Sequence, residues 1–149
     1  MTTVQYAFDG RVVRVGPTTP VGEVNAALAE SNVIVFLRSG LYVGNLTFSG
    51  SNVTLYGEGP RGGTVRINGS VTVNGSGNRI RGAHITGNLS VPANGFGMSL
   101  SRVDGAFQLN GSGARLLQNT FCGTVSSPTT NVTAFGNAGM APLAQPPGC

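Results

Sequence analysis

The chain has 149 residues, nine basic and five acidic, with a net charge of +4, and its length suits one domain spanning 1–149. All the basic residues are Arg, a thin excess for a nucleic-acid binder, so no nucleic-acid partner is expected. No run of 18 apolar residues exists, so the chain is not expected to be transmembrane, and its β-branched and aromatic residues separate it from a disordered chain rich in Gly.

Taken in chain order, "VQYAFDGRVVRV" (Val4–Val15) reads as two strands around an Asp9-Gly10 turn. "TPVGEVNAALAE" follows, with Thr19 as the helix cap, Pro20 in the first turn, and Val21, Val24 and Leu28 on one face. This short amphipathic helix is expected to close one end of the fold, so residues 1–32 form an N-terminal region of strands and a capping helix. Residues 33–139 are expected to form coils, and 140–149, "MAPLAQPPGC", an irregular tail in which Met140 and Leu143 plug the last coil.

The coils are read from a repeat. "SVTVNGSGNRIRGAHITG" (Ser70–Gly87), "NLSVPANGFGMSLSRVDG" and "AFQLNGSGARLLQNTFCG" have equal length and end on Gly87, Gly105 and Gly123. Four apolar columns run through them. They pass through Val71, Leu89 and Phe107; Val73, Val91 and Leu109; Ile80, Met98 and Leu116; and Ile85, Val103 and Phe121. Apolar and polar residues alternate, which means strands with one face inward. "NGSG" and "PANG" between them suit bends with positive φ. The first unit is longer by "EGPRGGT" (Glu58–Thr64), which reads as a loop. Units with matching columns stack, each strand pairing in parallel with its copy roughly 4.8 Å away. No coil can bury its apolar face alone, so stability comes from neighbours.

A left-handed hexapeptide helix needs an aliphatic residue every six positions. Here that phase reads Val73, Arg79, Ile85, Val91, Gly97, Val103, Leu109, Arg115, Phe121, so every third site is Arg or Gly and the three sides are unequal. Together with "VIVFLRSGLYVGNLTFSGSNVTLYGEG" (Val33–Gly59), "LLQNTFCG" and "NVTAFGNAG", this resembles the pectate-lyase-like superfamily. The resemblance implies an all-β fold: a single-stranded right-handed parallel β-helix of about five to six coils with an 18-residue period. It also implies that Asn119 and Asn137 fill a turn, and that enzymes so built act on polysaccharides.

The chemistry is sparse. Only Glu58 and Asp104 of the five acids lie in the solenoid, where a paired-carboxylate or calcium-dependent site needs a cluster. No cofactor or metal is expected, and "NGSG" lacks the Lys of a phosphate loop. One outward column, Arg66, His84, Arg102 and Thr120, has Asn68, Thr86, Asp104 and Cys122 two residues on. Stacking brings His84 near both arginines and Asp104. This strip suits an acidic polysaccharide as ligand-binding residues, or, in an enzyme, His84, Asp104 and Arg102 as catalytic residues; the plain alternative is a solvated face. A second column, Tyr56, Arg81, Ser99, Leu117 and Phe135, exposes Leu117 and Phe135 to the tail or to self-association. Cys122 and Cys149 form either a disulfide strapping the tail or two free thiols. The expected role is a non-catalytic secreted or surface module, extracellular or periplasmic, structural or glycan-binding. The alternative is a small lyase- or hydrolase-type enzyme acting on an acidic glycan.

Overall fold

The computed structural model describes residues 11–59, 65–126, 131–140 and 149. It is a parallel β-solenoid with three sheets running along one axis. The first sheet holds β1 (Arg11–Val15), β2 (Val33–Leu37), β5 (Val53–Gly57), β8 (Arg79–Arg81), β11 (Gly97–Ser99), β14 (Arg115–Leu117) and β17 (Thr133–Phe135) in that order. The second holds β3 (Gly40–Val43), β6 (Val65–Asn68), β9 (His84–Ile85), β12 (Arg102–Val103) and β15 (Thr120–Phe121). The third holds β4 (Leu46–Phe48), β7 (Val71–Val73), β10 (Leu89–Val91), β13 (Phe107–Leu109) and β16 (Val125–Ser126). Each coil visits the three sheets in turn, so every strand lies beside its own copy from the neighbouring coil.

The apolar columns pair as the repeat requires. Leu46, Val71, Leu89, Phe107 and Val125 are in register, as are Leu55, Ile80, Met98, Leu116 and Ala134. The inward residues of both columns are buried through Phe107 and Leu116 and form one continuous core. The closing glycines also align: Gly87 N–H donates to Gly69 O, and Gly105 N–H to Gly87 O, both at 3.0 Å. A Cβ on Gly105 would lie 2.5 Å from Gly87 O, so this seam admits no side chain.

The bends form columns too. Gly77, Gly95 and Gly113, the last glycines of "NGSG", "PANG" and "NGSG", have φ of 70°, 70° and 73° before the first sheet. The bend leaving that sheet has positive φ at Gly82, Leu100, Gln118 and Gly136. Inside it runs a polar ladder of 18-residue steps. Ser101 Oγ accepts the Ala83 N–H, Asn119 Oδ1 accepts the Ser101 N–H, and Asn137 Oδ1 accepts the Asn119 N–H. Asn119 and Asn137 thus fill a turn, and Ser101 belongs to the same column.

The N-terminal end differs from its sequence reading in its helix cap and in the exposure of Val21. The first half of the Val4–Val15 segment, with its Asp9-Gly10 turn, lies outside the described residues. The second half is β1, which pairs in parallel with β2 in the first sheet. Helix α1 (Val21–Leu28) buries Val24, Ala27 and Leu28, while Val21 stays exposed. Thr19 does not cap it: its Oγ1 accepts the Gly16 N–H at 3.1 Å, and Pro20 occupies the cap position without a side-chain hydrogen bond. The helix packs on β4, the end strand of the third sheet. Asn25 satisfies that strand's edge, its Oδ1 accepting the Thr47 N–H at 2.8 Å and its Nδ2 donating to Asn45 O at 3.1 Å. Such cover blunts an edge open to further pairing.

Met140 packs partly buried against the core, whereas Leu143 and most of the loop at Glu58–Thr64 lie outside the described residues. Cys122 and Cys149 form a disulfide with a Cα–Cα distance of 5.2 Å.

Candidate functional site

The candidate strip lies on the outward side of the second sheet. Alternation along β6, β9, β12 and β15 turns Ile67, Ile85, Val103 and Phe121 inward, all buried, and the preceding residue outward. The register sets Arg66 beside His84, His84 beside Arg102, and Arg102 beside Thr120. The sequence-expected residues are therefore neighbours on consecutive coils.

Asp104 joins two of them. Its Oδ2 lies 2.7 Å from His84 Nε2, and its Oδ1 accepts a hydrogen bond from Arg102 Nε, also at 2.7 Å. The side chains are partly sheltered, with 16% exposure for His84, 28% for Asp104 and 34% for Arg102. Burial pushes the Asp104 carboxyl upward, but the Arg102 and His84 hydrogen bonds outweigh it and hold the group below its ordinary range. If the Nε2–H of His84 donates to Asp104, its Nδ1 is left as the ring's acceptor. Arg66 is exposed one rung before His84, without an ion-pair partner among the described residues. Beside the strip, Thr86 Oγ1 donates to Ile67 O and to Asn68 Oδ1 at 3.2 and 3.0 Å.

The arrangement can present cationic groups to an anion, and it contains a His–Asp contact of the kind that orients an imidazole. Among the described residues no group of three or more His, Cys, Asp or Glu is placed to hold a metal ion. The remaining described acids stand elsewhere: Glu23 lies on α1, Glu30 pairs with Arg11, and Glu58 follows β5.

The second column is also in register, Tyr56 beside Arg81, then Ser99, Leu117 and Phe135. Leu117 and Phe135 are 38% and 72% exposed. Sequence reasoning did not single out Arg79 and Arg115 as functional residues. They flank Gly97 on the first sheet's outer side, and the signal was the run Arg79, Gly97, Arg115 at 18-residue steps.

No protein-family model, no curated protein and no solved structure matches the chain.

Proposed function

We propose that the protein is a non-catalytic β-helix module, a small relative of the right-handed pectate-lyase-like solenoids, which works outside the cytoplasm as a rigid surface element and engages an acidic polysaccharide. The observation that carries the reading is Asp104. Its carboxylate is committed to Arg102 and His84 and is harder to protonate than an ordinary one, which makes it a weak base. Exposed Arg66 and the outward edge of Arg102 offer donors to a uronate carboxylate, and the Nδ1 of His84 between them can accept from a sugar hydroxyl. The Cys122–Cys149 disulfide supports an oxidising compartment.

The 2.7 Å contact between His84 and Asp104 favours one second reading, an enzyme in which His84 is the general base on an acidic glycan. A polyuronate panel scored at once for binding and for product separates the two. Saturable binding without turnover, weakened at least tenfold in Arg66→Ala/Arg102→Ala, is the expected result. New reducing ends or unsaturated product, lost in His84→Ala, would establish the enzyme instead. Affinity unchanged by the double substitution would remove the strip as a site.

A further inference from the structure

The outward side of the first sheet carries a cationic, aromatic surface that the strip does not use. One column runs through Thr54, Arg79, Gly97 and Arg115; the next runs through Tyr56, Arg81, Ser99 and Leu117. The stem of Arg79 lies over Gly97, since a Cβ there would sit 3.2 Å from Arg79 Cγ and 3.8 Å from its Nε. The missing side chain lets Arg79 lean along the column in the direction of Arg115. A groove of about 380 Å³ opens at this place, lined by both arginines with Arg81 and Leu117 beside them. All three arginines are exposed, and neither column holds a carboxylate among the described residues. Next to the groove, Tyr56 stacks on Phe36 with centroids 5.7 Å apart, and Arg81 stands 5.8 Å from the Tyr56 ring. Tyr56, 39% exposed, stands between Phe36 and Arg81 on successive rungs, so its ring holds the Arg81 guanidinium at the edge of the cleft.

We propose that this face binds an extended sulfated glycan lying along the solenoid axis, with sulfate groups on Arg79, Arg81 and Arg115. The surface carries uncompensated positive charge, so the partner is anionic. The backbones of Arg79 and Arg115 stand two rungs apart, about 9.6 Å at the usual strand spacing, and the lean of Arg79 over Gly97 brings the side chains closer than that. A nucleic-acid duplex offers a phosphate about every 3.4 Å along each strand and would leave most of them unmatched. Sulfate suits the groove because its three free oxygens point in different directions and can accept from guanidiniums arriving from different rungs. The proposal shares with the preceding reading only the glycan class; its residues are on another sheet, so each fails separately.

The test is titration of the full chain with dextran sulfate of defined length, with unsulfated dextran as control. Dextran sulfate is expected to bind and dextran not to. Arg79→Ala/Arg115→Ala should weaken binding at least tenfold. Gly97→Val, which fills the groove without changing charge, should also weaken it at least tenfold, while Arg38→Ala, one charge removed off this face, stays within twofold. Circular dichroism confirms that each variant is folded. Affinity retained in both groove variants overturns the proposal. So does a loss in Arg38→Ala equal to that in the groove variants, a loss confined to Arg66→Ala/Arg102→Ala, or tighter binding of a single-stranded oligodeoxynucleotide of equal charge.

Discussion

Asn119 and Asn137, one coil apart, are joined twice: Asn137 Oδ1 accepts both the backbone N–H of Asn119, at 2.9 Å, and its Nδ2, at 3.0 Å. Both residues are buried. Asn119 repeats the arrangement toward the preceding coil, its Oδ1 accepting the Ser101 N–H and its Nδ2 donating to Met98 O. The asparagines therefore complete the hydrogen bonding of a bend where the sheet ladders stop, in a place water does not reach.

Asn119→Ala should accordingly be costly. It leaves the Ser101 N–H and Met98 O without their partner, at about 1–3 kcal/mol for each buried group. Urea unfolding of the two proteins measures it, with a large drop in midpoint expected. An unchanged midpoint would mean that the ladder is not what closes this bend.

Leu100 stands at φ 50° in the same bend column as Gly82 and Gly136. A side chain with a Cβ in that region costs about 1–2 kcal/mol, and Gly gives back about 0.5–1 in chain entropy. Leu100→Gly should therefore stabilise the protein by roughly 0.5–1 kcal/mol, read as a rise in thermal midpoint. A fall would show that packing by the half-buried Leu100 outweighs its backbone strain.

The Asp104 carboxyl is held below its ordinary value in the folded chain, so its pairing contributes stability that is present above about pH 4 and is lost as pH falls through the lowered value. Asp104→Asn should cost about 1 kcal/mol at pH 6, since the group is partly exposed to solvent. The gap between the two proteins should then close as pH drops from 5 to 2. Urea midpoints across that range decide it, and a gap independent of pH would contradict the ion-pair account.

The period of the chain determines which residue lies above which, and hence the sheets, the core columns and the meeting of Arg66, His84 and Arg102. What it leaves open is where side chains lean. Asp104 reaches back to His84 on the previous rung as well as to Arg102 on its own coil, and both contacts depend on rotamers. Arg79 lies over Gly97 because a neighbouring residue lacks a side chain, which matters only once the strands are paired. The N-terminal end was harder for a different reason. The 22-residue offset between Val12 and Ile34 includes a helix, so β1 has no copy at the common period to reveal its place beside β2. Thr19 has the composition of a helix cap but bonds to the Gly16 N–H of its own turn.

The stacking itself is tested most directly by distances along the first sheet. Spin labels on outward positions, with the native disulfide intact, span six strand steps between Val12 and Thr133, five between Val12 and Arg115, and four between Thr54 and Thr133. At about 4.8 Å per step the backbone separations should be about 29, 24 and 19 Å, in that order and with narrow distributions. Separations that fail to shorten step by step, or that scatter as in an unstacked chain, would contradict coils piled on one axis.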